Sequence, residues 1–85
     1  MTREEIFALI QAHLVDELEV DPARIDESTR VREDLDADSL DLYTLVQELE
    51  DSYGVKMTDE QAAKIVTVGQ AVDYVLLHAA NHEPS

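Results

Sequence analysis

The amino-acid sequence predicts a small all-α protein: a four-helix bundle with a long loop between its first and second helices and a short third helix. Apolar residues recur at helical spacing in four segments, and no segment alternates apolar with polar residues as a half-buried strand does. The chain has 85 residues, of which 45% are apolar and 5% aromatic, enough for one small core of aliphatic side chains. We expect one domain over residues 1–80 and a frayed polar tail over residues 81–85.

The first predicted helix begins after Thr2, because Thr2 and Glu5 have the spacing of a capping box. Asp21 and Pro22 form a turn-favouring pair, so this helix should end before them. Between these limits, apolar residues lie at helical spacing: Ile6, Leu9, Ile10, Leu14 and Leu18.

Residues 22–35 show no periodicity and are predicted to form a long loop, with Ile25 and Val31 turned towards the core. The second helix should begin at Asp38-Ser39 and end at Gly54, a residue suited to a helix C-terminal cap. Its apolar face consists of Leu42, Leu45, Val46, Leu49 and Tyr53.

Two further helix starts are indicated near the C-terminus. Thr58 and Gln61 have capping-box spacing and predict a short third helix that runs through Ile65. Thr67 and Gln70 repeat the pattern and predict a last helix, whose apolar face consists of Val68, Ala71, Val72, Val75, Leu76 and Ala79.

Charge restricts the partners that such a protein could bind. The chain has 6 Lys and Arg residues against 20 Asp and Glu residues, a net charge of −14. Because like charges repel, nucleic acid and anionic membranes are excluded as default partners, and a basic partner or a cation is favoured. The sequence opens without an apolar signal region and has no stretch long enough to span a membrane, so we expect a cytoplasmic protein without membrane insertion. We also expect a monomer.

Residues that could support catalysis are sparse. The chain has no cysteine, and its two glycines, Gly54 and Gly69, form no phosphate-binding loop. The histidines are His13, His78 and His82, and none forms a triad-like pattern with a serine. His78 and His82 have the spacing of two metal ligands on a helix, but side chains favoured by the helix dipole near a C-terminus are the better interpretation. We therefore expect no enzymatic activity.

Three aspartates alternate in the middle of the chain, at Asp34, Asp36 and Asp38. An EF-hand loop begins in this way, but its sixth position requires glycine and here holds Ser39. Its twelfth position requires a bidentate glutamate and here holds Leu45. We therefore expect no specific metal site, only weak binding of divalent cations at the three aspartates.

The same segment is also the predicted start of the second helix. Asp38 is a good N-cap residue, and Ser39 follows in the first turn, where free backbone N–H groups gather. A phosphate ester on this serine would be stabilised by up to about 1 kcal/mol if exposed. The alternative is that Asp38 and Ser39 simply cap a helix, and the residues by themselves leave both interpretations open.

Several segments together resemble the acyl carrier protein family. Residues 34–41, DLDADSLD, resemble the family signature DLGADSLD, and residues 48–54, ELEDSYG, are similar to the LEEEFG-like end of its second helix. Residues 59–60, 64–65, 67–68 and 71–74 are similar to its closing pattern DEDAEKI-TV-AIDYI. With the compatible first helix, the resemblance covers nearly the whole chain.

The resemblance implies a carrier without catalysis of its own, folded as a right-handed four-helix bundle. It implies that Ser39, with Asp38 and Leu40 as its motif context, receives 4′-phosphopantetheine from coenzyme A through a Mg²⁺-dependent holo-acyl carrier protein synthase. The terminal thiol then holds acyl intermediates as thioesters, most simply in type II fatty acid synthesis. A carrier for a specialised polyketide or lipid pathway remains an alternative, as does an unmodified acidic interaction or calcium-binding module.

The resemblance also implies a docking face and an acyl pocket. The second helix would meet basic patches on the phosphopantetheinyl transferase and on acyltransferase, ketosynthase, ketoreductase, dehydratase and enoyl reductase enzymes. The residues expected to recognise these partners are Asp41, Thr44, Gln47, Glu48, Glu50 and Asp51. The residues expected to line the acyl pocket are Leu45, Leu49, Met57, Ile65, Ala71 and Tyr74.

The chain departs from the family pattern at four positions. Asp36 stands where the family usually has glycine, so the loop before Asp38 is either less permissive or helical earlier. Tyr43, Thr44 and Gln47 replace typical residues of the second helix, including a partner-facing glutamate and methionine. These departures concern the choice of partners rather than attachment of the arm.

Overall fold

The structure, a computed structural model, describes residues 2–79, which form five α-helices and one 3-10 helix. Within this range the extended backbone is confined to short links, with a single β-bridge between Arg30 and Thr67. The all-α prediction is confirmed, and the four predicted helices correspond to α1, α3, α4 and α5. The elements in chain order are α1 (Arg3–Leu18), the 3-10 helix (Pro22–Arg24), α2 (Val31–Asp34), α3 (Ser39–Tyr53), α4 (Asp59–Ala63) and α5 (Val68–Ala79).

Helix α1 begins and ends where the sequence predicts. The Thr2 hydroxyl accepts a hydrogen bond from the Glu5 backbone N–H at 3.2 Å, and the Glu5 carboxylate accepts one from the Thr2 hydroxyl at 3.4 Å. The helix ends at Leu18, because Glu19 adopts a left-handed conformation with φ of 55° and turns the chain away.

The predicted loop between the first two main helices is partly helical, which corrects the expectation for residues 22–35. The 3-10 helix begins with Pro22, whose φ suits a first helical turn, and the Asp21 side chain accepts from the Ala23 N–H at 2.9 Å. Helix α2 is held by Asp34, whose carboxylate accepts from the Arg30 backbone N–H at 2.8 Å. Neither segment is long enough to show a periodic apolar pattern.

Hydrogen bonds attach residues 19–38, the connecting segment between α1 and α3, to the start of α5. The backbone N–H groups of Val68 and Gly69 donate to the carbonyl oxygens of Thr29 and Glu27 at 3.0 and 2.8 Å. Ile25 and Val31 are buried, as predicted. The segment between α1 and α3 is therefore packed against the bundle, and it brings α2 to a definite place beside α3.

The last two helices begin at the predicted capping boxes. In α4, the Thr58 hydroxyl accepts from the Gln61 N–H at 3.1 Å and the Gln61 side chain accepts from the Thr58 N–H at 3.0 Å. The helix ends at Ala63 rather than at Ile65, because Lys64 caps it and Ile65 bonds back to Ala62 in a tighter turn. Thr67 and Gln70 cap α5 in the same way.

One aliphatic core joins the main helices, and α1 packs chiefly on α5 and α3. Burying such side chains contributes about 1.5–3 kcal/mol each relative to exposure. None of the helices in residues 2–79 is long and apolar enough to cross a membrane. The predicted tail, including His82, lies outside the described residues, so the domain boundary at residue 80 stays a prediction. The largest of the fully buried side chains are Ile6, Ile10, Leu14, Val31, Leu45, Leu49, Val55, Val68, Val72 and Val75.

Gly69 marks the closest approach between α5 and the connecting segment. A Cβ atom at this position would lie 2.9 Å from the Glu27 carbonyl oxygen, to which the Gly69 N–H already donates. At an ordinary helix position, replacing glycine with alanine stabilises by about 1 kcal/mol. We expect Gly69→Ala to lower the free energy of unfolding by about 1–3 kcal/mol instead, as measured by urea denaturation.

Gly54→Ala provides the comparison, because φ there is +68° and no atom lies within 4 Å of a new Cβ. Its free energy of unfolding should fall by about 1–2 kcal/mol, because alanine disfavours the left-handed backbone even where its Cβ meets no other atom. A gain in stability for Gly69→Ala would contradict the proposed tight contact with Glu27.

Candidate functional site

Ser39 is the first residue of α3, and hydrogen bonds on either side of it define where the helix begins. Asp38 is the N-cap, and its Oδ1 accepts from the Asp41 N–H at 3.0 Å. Asp41 Oδ2 in turn accepts from the Asp38 N–H at 3.2 Å, which completes a capping box. The N-cap role of Asp38 is confirmed, whereas the returning contact from Asp41 was not predicted.

The Ser39 side chain is exposed and contacts an arginine from α2. Arg32 Nη2 donates to Ser39 Oγ at 2.8 Å. No role for Arg32 was predicted, because residues 22–35 were expected to be a loop. The sequence did contain one indication of this contact. Arg32 is one of only 6 Lys and Arg residues, and it lies seven positions before the serine that is the candidate for a phosphate ester.

The chemistry of this pair limits what Ser39 can do by itself. Among residues 2–79, Arg32 is the hydrogen-bond partner of the Ser39 hydroxyl. A guanidinium donates hydrogen bonds and cannot accept a proton, so the described residues supply no general base to activate the serine. The arrangement therefore suits a hydroxyl that another protein modifies rather than a nucleophile that turns over substrate.

A groove of about 200 Å³ lies next to Ser39, between α3 and α4. Close to the serine, Leu40 and Tyr43 expose 66% and 53% of their surface, although both are large and apolar in character. An exposed hydroxyl beside a partly apolar groove can carry a substituent that lies along the surface. The groove is lined by Arg32, Ser39, Leu42, Tyr43, Asp59, Ala62 and Ala63.

The three alternating aspartates do not act as one cluster in the structure. Asp34 is engaged with Arg30, and the hydrogen bonds from the Arg30 backbone and side chain lower the pKa of Asp34. Asp38 belongs to the capping box. Within residues 2–79, no three acidic, histidine or cysteine side chains are grouped so as to hold a metal ion. Weak divalent cation binding at Asp34, Asp36 and Asp38 stays a prediction.

Three of the six residues expected to recognise partners share one side of α3. Asp41, Glu48 and Asp51 are spaced by seven and three residues, which places them on one helical side. Glu50 differs, since its Oε2 accepts from the Met57 N–H at 3.0 Å and so supports the turn after α3. Thr44 and Gln47 also have intramolecular partners: the Thr44 hydroxyl donates to the Asp41 carbonyl oxygen at 2.8 Å, and Gln47 Nε2 donates to the Tyr43 hydroxyl at 3.0 Å.

The six residues predicted to line an acyl pocket all belong to, or pack against, the same core cluster. Leu45, Leu49, Ile65 and Ala71 are buried in it, whereas Met57 and Tyr74 are half-buried at its edge. The pocket role of this set, which is Leu45, Leu49, Met57, Ile65, Ala71 and Tyr74, stays a prediction.

Tyr74 closes one side of this core. Its hydroxyl lies 2.9 Å from Gln61 Oε1 and also contacts the Lys56 carbonyl oxygen. Burial raises the pKa of Tyr74, and the negative charge of Glu50 raises it further, so the hydroxyl keeps its proton for these contacts. The His78 ring stacks on the tyrosine, with 4.0 Å between ring centroids, so its position is explained by packing rather than by a metal.

A second, wider groove of about 360 Å³ runs along α4 and α5, and its lining includes Ile65 and Tyr74. It shares no lining residue with the groove beside Ser39. Among residues 2–79, the groove that has the Ser39 hydroxyl on its lining is therefore the smaller one.

Comparison with known proteins identifies the family that the chain resembles over most of its length. Residues 8–75 match the family model described as "Phosphopantetheine attachment site". The chain is 50% identical to the acyl carrier protein of Rubrobacter xylanophilus, over 92% of this chain and 96% of the relative. It is 46% identical to that of Lactobacillus acidophilus, over 92% and 98%. The solved structure of the acyl carrier protein from Enterococcus faecalis superposes with a TM-score of 0.80 at 36% identity, covering 92% of this chain and 99% of that one.

Asp36, in the loop before the site, has a left-handed backbone with φ of 59°. The one-turn helix α2 precedes it, so this part of the chain is helical earlier and then turns sharply at Asp36. Because glycine adopts positive φ without a Cβ clash, we expect Asp36→Gly to raise the free energy of unfolding by about 0.5–1 kcal/mol. This corresponds to a rise of roughly 2–8 °C in Tm, measured by circular dichroism.

Asp36→Asn removes the same negative charge but keeps a Cβ, so it is the matched control for electrostatic repulsion. The rise in Tm should be larger for the glycine variant. Equal rises for both variants would mean that the charge of Asp36, rather than its backbone conformation, limits stability.

Proposed function

Because the chain belongs to the acyl carrier protein family and holds a phosphopantetheine attachment domain, we propose that it carries acyl groups on a 4′-phosphopantetheine arm attached to Ser39. The observation that carries the proposal is the position of Ser39 as an exposed hydroxyl at the start of α3, inside the segment DLDADSLD. The other serines of the described chain, Ser28 and Ser52, are bonded to their neighbouring carboxylates at 2.7 and 2.6 Å.

Attachment requires coenzyme A and a transferase. Ser39 Oγ forms a bond to the phosphorus that bears the pantetheine, and the bond from that phosphorus to adenosine 3′,5′-bisphosphate breaks, with its electron pair leaving on the nucleotide. The hydroxyl proton passes to a base of the transferase, because Arg32, the partner of Ser39 within residues 2–79, cannot accept it. The bound arm supplies a terminal thiol for thioester formation, which this cysteine-free chain lacks.

The residues around Ser39 fit such an arm. The capping box holds the serine at the helix start, where backbone N–H groups and the helix dipole favour an anion. The groove beside it, of about 200 Å³, gives the arm a partly apolar surface to lie on. The chain contributes placement and exposure of the hydroxyl, and the enzymes that it meets contribute the catalysis.

We place the carrier in type II fatty acid synthesis, served by the transferase and by acyltransferase, ketosynthase, ketoreductase, dehydratase and enoyl reductase enzymes. Support comes from the relatives named acyl carrier protein, which match over 96% and 98% of their own length. The acidic side of α3 suits basic docking patches, since such charges steer association more than they add affinity.

A specialised polyketide or lipid carrier is the second candidate, favoured by one observation. Tyr43, Thr44 and Gln47 replace residues typical of the family on α3, and Tyr43 is exposed next to Ser39. Reconstitution with purified fatty acid synthesis enzymes decides between the two. Elongation of a loaded acyl chain at rates comparable to those of an established acyl carrier protein supports the fatty acid pathway, whereas loading without elongation supports the second candidate.

The attachment site is tested by mass spectrometry after incubation with coenzyme A and a phosphopantetheinyl transferase. We expect Ser39→Ala to abolish the mass gain of one phosphopantetheine while its circular dichroism spectrum stays helical. Ser52→Ala, on the same helix, is the matched control and should retain the full gain. A gain that persists in Ser39→Ala would place the arm elsewhere.

The docking face is tested by reversing charges that take no part in the capping box. Glu48→Lys with Asp51→Lys changes two acidic residues on the proposed side of α3, and we expect loading by the transferase to slow about tenfold at low salt. The difference from wild type should shrink as salt rises, because screening weakens the wild-type encounter as well.

The control for this pair is Asp16→Lys with Glu17→Lys, two exposed residues in the last turn of α1. It changes the net charge by the same amount, and the lysines favour the helix C-terminus. If both pairs slow loading equally, net charge governs the encounter and α3 is not a special docking face.

A further inference from the structure

We propose that Arg32 binds the phosphodiester of the arm once Ser39 has been modified, and so positions the root of the arm beside the groove between α3 and α4. This inference rests on the proposed attachment at Ser39. It adds a residue of α2 to a site otherwise made by α3, and it is carried by the contact between Arg32 Nη2 and Ser39 Oγ at 2.8 Å.

The contact already lies where the phosphate would be. After modification, Ser39 Oγ is the ester oxygen of a phosphodiester, and two anionic oxygens are bonded to the same phosphorus. A guanidinium that reaches the ester oxygen is therefore within reach of these two oxygens. Arginine presents several N–H donors in a planar fork, and this geometry matches two phosphate oxygens at once.

The charge of Arg32 is available for this purpose. The ion pairs of residues 2–79 are made by Arg3, with Glu27 and Asp73, and by Arg30, with Glu33 and Asp34. Arg32 takes part in none of these pairs and donates instead to a neutral hydroxyl.

The phosphodiester also needs a positive partner at this place. It adds a negative charge next to Asp38 and Asp41, which flank Ser39 and are held close to it by the capping box. In a chain with a net charge of −14, a further anion is repelled unless a cation lies beside it. A charge-assisted hydrogen bond from Arg32 offsets this repulsion.

The backbone around Arg32 gives it a definite position. Its neighbour Val31 is buried in the core, and the Val31 N–H donates to the Val66 carbonyl oxygen at 2.9 Å. On the other side of Arg32, the Asp34 carboxylate accepts a hydrogen bond from the Arg30 N–H and stabilises the single turn of α2. Arg32 itself is exposed and lines the groove together with Ser39.

The test uses ³¹P NMR of the loaded protein, with the phosphodiester signal in urea as the value for an arm free of contacts. In folded wild type, we expect the signal to be displaced from that value. In Arg32→Gln it should move towards the unfolded value, and in Arg32→Lys it should lie between, since lysine keeps the charge without the planar fork. Lys56→Gln is the matched control, because it removes one positive charge from an exposed residue outside the groove, and it should leave the signal unchanged.

A second measurement on wild type needs no substitution. The side-chain Nε–Hε resonance of Arg32 should shift when the apo protein is loaded, whereas that of Arg24, which donates to the Asp34 carbonyl oxygen, should stay in place. This measurement decides the question if circular dichroism shows that Arg32→Gln does not fold.

The outcomes separate this inference from the function on which it rests. If wild type gains no phosphopantetheine, both the attachment at Ser39 and the role of Arg32 are overturned. If wild type is loaded but neither the ³¹P signal responds to Arg32→Gln nor the Arg32 resonance responds to loading, the role of Arg32 alone is overturned.

Discussion

Two hydrogen bonds between Asp38 and Asp41 decide where α3 begins, and the rest of the site depends on that point. Each aspartate accepts the backbone N–H of the other, at 3.0 and 3.2 Å, so two of the donors left free at a helix start are satisfied. Ser39 is thereby held in the first turn with its hydroxyl exposed. If the helix began a turn later, Ser39 would lie in the loop and would no longer share a groove with Leu42 and Tyr43.

The few positively charged residues form ion pairs at particular contacts of the fold. The chain has 20 acidic residues against 6 basic ones, and the ion pairs of Arg3 lie where separate segments meet. Arg3 joins the start of α1 to Glu27 in the connecting segment and to Asp73 in α5, and these contacts, led by that with Glu27, raise the pKa of Arg3. The pair of Arg30 with Asp34 is local instead, and it stabilises the single turn of α2. The Arg3 pairs thus reduce repulsion where α1 meets the connecting segment and α5. The outer side of α3 stays acidic.

The helix starts were predictable from the sequence, because each main helix has a short polar cap residue and a polar partner three positions later; the caps are Thr2, Asp38, Thr58 and Thr67. Helix α2 was not, since four residues show no periodicity and its N-cap is Arg30, without a side-chain cap. The contact between Arg32 and Ser39 could not be predicted either. This contact depends on the orientation of α2. That orientation is determined by the burial of Val31 and by the hydrogen bond from the Arg30 N–H to the Asp34 carboxylate, and both form only in the folded chain.

In the proposed role, contacts with each enzyme must form quickly and also release. The carboxylates on the outer side of α3 attract a basic surface over about one Debye length, roughly 8 Å at physiological ionic strength, and add little affinity once in place. Leu40 and Tyr43 expose 66% and 53% of their surface beside Ser39, so they offer an apolar contact that acts only at short range and is not screened by salt. Salt should therefore slow the approach of a partner more than it speeds its departure. A carrier that combines these two kinds of contact can meet several enzymes in turn, because neither contact is large enough to hold any of them for long.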